Sequence, residues 1–201
     1  MNEWSTEERL VEEAVEAIGE GRPVVLPTDT VYGLCTSPLA PKSLSRLKGR
    51  EAEQPIALLV SEIDILLELV PELPEAPVRS LLPGRLTLIL PNPQGRFPLL
   101  SPSRPETIGV RVPALRGPAR RIVTRAGAVA ATSANVTGGP DPRRIADIPQ
   151  SILDGVTEVV DDGDLPGTAS TVVDFTGAEP VVLRAGAGDV SRALAQLSRS
   201  G

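Results

Sequence analysis

Histidine is absent from the sequence, and cysteine occurs once, at Cys35. The lack of histidine excludes Ser-His-Asp and Cys-His catalysis as well as imidazole metal sites, and a single thiol excludes an internal disulfide or a thiolate zinc cluster. Hydroxyls, carboxylates, lysine and arginine are left for chemistry. This set suits the positioning of an anionic substrate better than covalent catalysis. We expect Cys35 to be a small buried side chain rather than a reactive thiol.

Aromatic residues are scarce, at 2% of the chain, and only two of the 20 cations are lysines, Lys42 and Lys48. The formal net charge of −6 argues against a large nucleic-acid footprint, because nonspecific affinity comes largely from neutralised phosphates. Arginine is nevertheless concentrated in residues 104–125, which hold six arginines against one acid, Glu106. We expect most of these arginines on the solvated surface and a few in a binding site.

Long apolar segments are missing too, since no run approaches the roughly 20 residues that span a bilayer. The acidic residues 1–8 include no apolar stretch of the kind found in signal peptides. Hydrophobic residues make up 41% of the chain and charged residues 23%, which is typical of a globular protein. We therefore expect a cytoplasmic protein with no membrane partner, folded as one domain over residues 1–201.

The periodicity of the apolar residues predicts strands and helices that alternate irregularly. Helices are predicted at 5–19, 43–48, 61–70, 76–82, 117–125 and 190–197, and the first begins with a capping box of Ser5 and Glu8. Strands are predicted at 23–26, 56–60, 86–90, 107–112, 128–132, 156–160, 171–175 and 180–183. Some neighbouring strands have no helix between them. The predicted fold class is therefore α/β, with a mixed, twisted sheet flanked by helices rather than a strict doubly wound Rossmann fold.

The stretch PTDTVYGL, residues 27–34, places polar residues where a predicted strand ends. Three hydroxyls and a carboxylate fall between Thr28 and Tyr32, the only tyrosine of the chain. Gly33 can turn the backbone sharply or let a ligand approach closely. Polar side chains between the carboxyl end of a strand and a helix are where open sheets bind ligands. We therefore expect this stretch to precede a helix and to contribute to a ligand site.

Several further stretches combine polar residues with a strand end. They are Lys48-Gly49-Arg50, Pro83–Thr87, Arg111 ahead of Pro113, Ser133–Gly139, Gly167–Thr171 and Leu183–Gly186. Each alone is more readily explained as a capped turn than as a site. Their number along one chain favours a shared site.

The sequence resembles the YrdC-like L-threonylcarbamoyladenylate synthase family, in its short, single-domain form, over about residues 20–186. The resemblance rests on the ordered motifs PTDTVYGL, KGR, PGRLTLIL, TIGVRVP, TSANVTGG, ASTVVD and VLRAG. It implies a three-layer fold whose twisted mixed sheet has a concave ligand-binding face. The implied enzyme is a nucleotidyltransferase that uses L-threonine, bicarbonate and ATP to form threonylcarbamoyl-AMP and pyrophosphate. A separate tRNA threonylcarbamoyl-transferase complex would then modify the adenosine beside the anticodon, so tRNA would be bound weakly or indirectly.

The resemblance also implies residue roles. Lys48 and Arg50 would be the catalytic cations, and L-threonine would be held by Thr28, Arg111 and Ser170, with the Arg111 fork on its carboxylate. ATP would contact Arg50, Gln54, Thr107, Ser133, Asn135 and Arg184. Mg²⁺ is expected to accompany ATP, held mainly by phosphate oxygens and water, since the sequence has no dedicated metal motif. These roles suit a reaction in which several negative charges meet, because positioning and electrostatic stabilisation carry most of the catalysis in phosphoryl-type transfer.

Two other functions are open at this point. A non-catalytic nucleotide- or RNA-binding module would use the arginines of residues 104–125, although the few aromatic residues are scattered and the net charge is acidic. An enzyme acting on a sugar phosphate, as dihydroxybutanone-phosphate synthases do, would rely on a histidine near metal ions. The sequence has no histidine, which counts against that reading.

Overall fold

A computed structural model describes residues 5–49, 54–189 and 191 of the chain. The strands are β1 (Val24–Pro27), β2 (Tyr32–Thr36), β3 (Ala57–Leu59), β4 (Leu86–Pro91), β5 (Thr107–Arg111), β6 (Val129–Ser133), β7 (Glu158–Val159), β8 (Thr171–Asp174) and β9 (Val181–Arg184). The helices are α1 (Thr6–Gly19), α2 (Lys42–Leu47), α3 (Ile63–Leu69), α4 (Glu75–Leu81), α5 (Gly117–Ala126) and α6 (Gln150–Leu153). None of these helices is long and apolar enough to cross a membrane.

The nine strands form one mixed sheet in the order β7-β1-β2-β6-β3-β5-β4-β8-β9. The pairs β1–β2, β2–β6, β3–β6, β4–β5 and β8–β9 are antiparallel, whereas β1–β7, β3–β5 and β4–β8 are parallel. Sequence neighbours such as β2 and β3 are separated by β6, so the chain crosses the sheet repeatedly. The predicted α/β class with a mixed sheet flanked by helices is confirmed.

Alternating side chains divide the sheet into two buried faces. On one face, Val24 and Leu26 of β1 and Cys35 of β2 pack with α1 and α5. On the other face, Val25 belongs to the larger core that contains the apolar side chains of α3 and α4. Helices α1 and α5 cover only part of their face. The remainder of that face, toward β3, β5, β4 and β8, is where the cleft lies.

Residues 27–34 do not lead directly into a helix, because this segment turns back into strand β2, which the sequence pattern did not predict. The predicted helix at 43–48 follows β2 as α2 (Lys42–Leu47). Thr28 Oγ1 accepts from the backbone N–H groups of Thr30 and Val31, both at 3.2 Å, and donates to the Val31 carbonyl oxygen at 2.7 Å. This hydroxyl-built turn brings β2 back against β1, with Pro27 opposite Tyr32. Every residue of β2 is buried, and β2 pairs with β1 on one side and β6 on the other. Gly33 is therefore a strand residue rather than a turn residue.

The other predicted elements agree with the structure to within a few residues where it describes them. Ser5 caps α1 by accepting from the Glu8 backbone N–H at 3.1 Å, as the capping box predicts. The short helix α6 and the 3₁₀ turns Pro98–Leu100 and Ile145–Asp147 are additions that the sequence pattern did not indicate. The predicted helix at 190–197 lies outside the described residues. Cys35 is buried as expected, and burial raises the pKa of its thiol to about 12.

Tyr32 anchors the loop that follows β7. Its side chain is fully buried, and its hydroxyl lies 2.9 Å from two acceptors, Asp161 Oδ1 and the Gly163 carbonyl oxygen. The hydroxyl also accepts from the Asp162 backbone N–H at 3.0 Å. Burial raises the pKa of Tyr32 to about 12, although the Asp162 N–H bond opposes part of the rise.

We predict that Tyr32 ionises near pH 12 in the folded protein, against about pH 10 in the denatured chain. The denatured chain loses this proton at a lower pH than the folded protein does. The contribution of the protonated Tyr32 hydroxyl to the free energy of unfolding is therefore fully present below about pH 10 and is lost as the pH rises toward 12. Tyr32 is the only tyrosine, so the ultraviolet absorbance of its phenolate reports this titration directly. A native-state titration near pH 10 would contradict the buried hydrogen-bonded geometry.

Tyr32→Phe should lower the free energy of unfolding by about 1–2 kcal/mol.

Candidate active site

The cleft has a floor of small residues on the sheet face that α1 and α5 leave uncovered. Gly33, Ala57, Gly109 and Ala131 lie on four neighbouring strands, β2, β3, β5 and β6, and line a cavity of about 210 Å³. Larger side chains on these strands would fill the space above the sheet. The floor therefore leaves the backbone open to close approach by a ligand.

The cleft is elongated. Thr107 and Arg111 are the first and last residues of β5 and both line the cleft, about 13 Å apart at the rise of an extended strand. Ser133 of β6 and Val172 of β8 lie four strand spacings apart, about 19 Å across the sheet. These dimensions suit a ligand longer than a single amino acid, with chemically distinct ends.

The polar lining is cationic and rich in hydroxyls. Its members are Arg104, Arg111 and Arg184 together with Thr28, Thr87, Ser101, Thr107, Thr132, Ser133 and Ser170. No Asp or Glu is among the described residues that line the cleft, although the chain carries a formal net charge of −6. Arg111 and Arg184 are close enough for their repulsion to contribute to the lowered pKa of Arg111. A cleft with this charge distribution favours anions.

Arg111 is held from behind by the turn between β1 and β2. Its Nη2 donates to Asp29 Oδ1 at 2.6 Å and to Thr30 Oγ1 at 2.7 Å. The other carboxylate oxygen of Asp29 accepts from the Ala114 backbone N–H at 3.2 Å. Both charged side chains are about one tenth exposed, and burial lowers the pKa of Arg111 while the carboxylate of Asp29 raises it.

The Nε–H of Arg111 has no hydrogen-bond partner within the described part of the chain, even though it is buried. A buried donor without an acceptor is costly, by about 1–3 kcal/mol. Arg111 lines the cleft, so an anionic ligand can provide the missing acceptor. A buried N–H that lacks an acceptor is the feature expected of an arginine that binds a carboxylate.

Lys48 supports the loop that follows β6. Its Nζ donates to the carbonyl oxygens of Ser133 and Asn135 and to Asn135 Oδ1, each at 2.6 Å. Ser133 Oγ donates to Asn135 Oδ1 at 2.7 Å, and Asn135 Nδ2 donates to the Gly139 carbonyl oxygen at 2.7 Å. Ser133 lines the cleft, whereas the buried Lys48 and Asn135 lie behind it. The positive charge of Lys48 therefore lies beside the cleft, with this loop between the lysine and the cleft.

Thr107 lies at the opposite end of β5 from Arg111, in a tight turn. Its Oγ1 donates to the Arg104 carbonyl oxygen at 2.9 Å and lies 3.4 Å from Ser101 Oγ. The Arg104 side chain is nearly half exposed and contacts Asp174 and Thr176 at 3.4 and 3.2 Å. Thr107 is thus fixed at the floor, and Arg104 lies at the rim.

Ser170 precedes β8 and is fixed by its neighbours on both sides. Arg184 Nη2 donates to the Ser170 carbonyl oxygen at 2.8 Å and to Ser170 Oγ at 3.3 Å. Ser170 Oγ also lies 2.8 Å from Thr87 Oγ1 on β4. Ser170 and Thr87 are both buried and line the same wall of the cleft.

The structure brings together most of the site residues predicted from the sequence. Thr28, Thr107, Arg111, Ser133, Ser170 and Arg184 line one cleft, and Lys48 and Asn135 support it from behind. Gln54 is exposed and is not in the lining, although its neighbour Pro55 is. Arg50 lies outside the described residues. Their individual roles stay predictions.

The sequence reasoning assigned no role to Asp29 or Thr87. Asp29 belongs to PTDTVYGL and Thr87 to PGRLTLIL, so both lay inside stretches already singled out. Their contacts join residues 82 and 83 positions apart in the chain. A motif marks such residues, but only the fold shows what they contact.

Comparison with known proteins identifies the family of the chain. The family model Sua5/YciO/YrdC, described as telomere recombination, matches residues 16–186. A threonylcarbamoyl-AMP synthase from Pyrococcus abyssi is 32% identical over 187 residues, which cover 90% of this chain and 55% of that protein. This chain thus spans about half the length of that curated relative.

Two solved structures are similar in fold. P. abyssi Sua5 complexed with L-threonine gives a TM-score of 0.77 at 32% sequence identity, with 92% of this chain and 56% of that chain covered. E. coli YciO gives a TM-score of 0.79 at 26% identity, with 92% of both chains covered.

The fold and cleft define an α/β protein with a cationic, hydroxyl-rich cleft on one face of a mixed sheet. The chain belongs to the Sua5/YciO/YrdC family, because the family model spans most of its length. The family resemblance noted in the sequence is thereby confirmed.

We predict that Asp29→Ala lowers the free energy of unfolding by about 3 kcal/mol, because it leaves the buried Arg111 charge without its counter-ion. Urea unfolding measures this change. Arg79→Ala is the control, since the Arg79 pairs with Asp64 and Glu75 are exposed and should contribute little. Equal, small effects of the two substitutions would contradict a structural role for the Asp29–Arg111 pair.

Proposed function

We propose that this protein is an L-threonylcarbamoyladenylate synthase. The observation that carries the proposal is the cleft lining, which gathers three arginines and a row of hydroxyls with no acidic side chain among the described residues. The P. abyssi relative, a threonylcarbamoyl-AMP synthase, and the L-threonine bound to P. abyssi Sua5 support the same activity and substrate.

The proposed reaction brings several negative charges together. The amine of L-threonine combines with bicarbonate to give a carbamate, with loss of water. A carbamate oxygen then attacks the α-phosphorus of ATP, the bond to the β-phosphate oxygen breaks, and pyrophosphate leaves. The products are threonylcarbamoyl-AMP and pyrophosphate. Fixed cations and oriented N–H and O–H donors lower the repulsion between carboxylate, carbamate and triphosphate.

The amino-acid end of the cleft is proposed to lie near Arg111, Thr28 and Ser170. The unpaired Nε–H of Arg111 would donate to the threonine carboxylate, while Asp29 and Thr30 hold Nη2 of the guanidinium. Arginine is suited to this role because its planar fork matches a carboxylate. The Thr28 hydroxyl is engaged in its own turn, so Thr28 would position the wall rather than move protons.

The nucleotide end is proposed to lie near Ser133 and Thr107, with Asn135 behind the Ser133 loop. Arg184 contacts Ser170, so it lies toward the amino-acid end of the cleft, and its assignment to ATP rests on the family resemblance alone. Lys48 would add positive charge beneath the Ser133 loop and, by holding the carbonyl oxygens of Ser133 and Asn135, fix the loop backbone for contact with phosphate oxygens. Arg50 and Gln54 stay assigned to ATP by the family resemblance alone. The chain would form no covalent bond to substrate, in keeping with its buried thiol and lack of histidine.

We further propose that Mg²⁺ enters with ATP, with phosphate oxygens and water as its main ligands. The described lining of the cleft contains no carboxylate that could bind the ion. When bound, Mg²⁺ would neutralise part of the triphosphate charge. The product would pass to a tRNA threonylcarbamoyl-transferase complex in the cytoplasm, and tRNA itself would contact this protein weakly or indirectly.

Pyrophosphate release tests the activity. Purified protein is incubated with ATP, Mg²⁺ and bicarbonate, with L-threonine, with L-serine or without an amino acid. Release that requires both L-threonine and bicarbonate is the expected result. ATP binding without release would instead favour a non-catalytic nucleotide- or RNA-binding module, and salt-dependent RNA affinity would then be measured.

We predict that Arg111→Lys raises the KM for L-threonine by about ten- to a hundredfold, because lysine keeps the charge but loses the fork. The KM for ATP should change little. Arg96→Lys is the matched control, since Arg96 pairs with Glu72 and is not in the cleft lining. An unchanged KM for L-threonine in the Arg111 variant would contradict the proposal that Arg111 binds the carboxylate of L-threonine.

A further inference from the structure

Thr87 and Ser170 form a hydroxyl pair on the wall of the cleft. Their oxygens lie 2.8 Å apart, a strong hydrogen bond between hydroxyls that are 9% and 3% exposed as residues. Thr87 comes from β4 and Ser170 from the start of β8, and the parallel pairing of these strands sets Leu86 opposite Thr171. The fold therefore fixes the pair from both sides.

Either hydroxyl can be the donor of this hydrogen bond, and the other partners of the two hydroxyls are compatible with Thr87 as the donor. A hydroxyl has one hydrogen to donate and two lone pairs that accept. Ser170 Oγ already accepts from Arg184 Nη2 at 3.3 Å. The Thr87 hydroxyl has no partner besides Ser170 in the described part of the chain. If Thr87 donates to Ser170, both Ser170 lone pairs are occupied and its own hydrogen is directed elsewhere.

We propose that Thr87 is a positioning residue for the amino-acid substrate, which acts by turning the Ser170 hydroxyl into a donor aimed at the substrate carboxylate. The inference rests on the proposed function. Thr87 donates to Ser170, and Ser170 donates to the carboxylate, so the two bonds polarise one another. Arg184 reinforces this polarity by donating to the same oxygen and to the Ser170 carbonyl oxygen.

This arrangement has a consequence for ligand selection. A carboxylate only accepts hydrogen bonds, and a wall of oriented donors matches it. The Nε–H of Arg111 is likewise a donor without a partner in the described chain. If an amino acid carried a hydrogen-bond donor in place of its carboxylate, the hydrogens of that donor would face the hydrogens of Ser170 and Arg111.

Calorimetric binding of L-threonine to Thr87→Val tests the proposal, because valine keeps the shape of threonine and removes the hydroxyl. The Kd for L-threonine should rise about tenfold, the effect of one hydrogen bond to a charged group. Thr87→Ser restores the hydroxyl and should restore binding to within about threefold. In turnover, the KM for L-threonine should rise while the KM for ATP changes little.

Thr36→Val is the matched control. Thr36 is fully buried, and its Oγ1 donates to the Arg22 carbonyl oxygen at 3.2 Å, away from the cleft. It should lower the midpoint of thermal unfolding without changing the Kd for L-threonine. Should Thr87→Val not fold, Thr87→Ala takes its place, with Thr36→Ala as its control.

A double-mutant cycle separates positioning from direct contact. In a Ser170→Ala background, Thr87→Val should change the Kd for L-threonine by less than about twofold, because the residue acts through Ser170. Full additivity, or wild-type affinity in Thr87→Val, would overturn the inference and leave the proposed function intact. No binding of L-threonine to the wild type would overturn both.

Discussion

The cleft depends on the buried ion pair between Arg111 and Asp29. Arg111 ends β5 and Asp29 lies in the turn before β2, and the sheet places β3 and β6 between these two strands. The pair therefore ties the β1–β2 turn across the floor of the cleft. Because both side chains are about one tenth exposed, removing either partner leaves a charge in a medium that solvates it poorly. Within the described residues, the contact leaves the Nε–H of Arg111 without a partner and so available to a ligand.

The distribution of acidic and basic side chains determines which ligands the rest of the site suits. The chain is acidic overall, yet the described lining of the cleft contains only cations and neutral groups. Asp29 is the nearest acid to Arg111 in that arrangement, and it lies behind the guanidinium rather than in the lining. Lys48 is likewise placed behind the loop that carries Ser133. The protein thus concentrates positive potential on a surface of small residues and hydroxyls, which suits a substrate with several anionic groups.

Much of this fold can be predicted from the sequence, because apolar runs bounded by glycine and proline mark eight of the strands and the capping box marks α1. Strand β2 was missed because its first residues follow a polar turn, and Thr28 builds that turn from its own hydroxyl rather than from an Asn-Gly pair. The motifs identified Arg111 and Ser170 as site residues. Their partners Asp29 and Thr87 could not be paired with them in advance, because those contacts depend on strand order across the sheet.

The most direct test of the synthase activity is the fate of labelled bicarbonate. The protein is incubated with ¹³C-bicarbonate, L-threonine, ATP and Mg²⁺, and the products are separated and analysed by mass spectrometry. The proposed function predicts one product that contains AMP, threonine and the labelled carbon, formed together with pyrophosphate. ATP that stays intact, or AMP that appears without threonine and label attached, would contradict it.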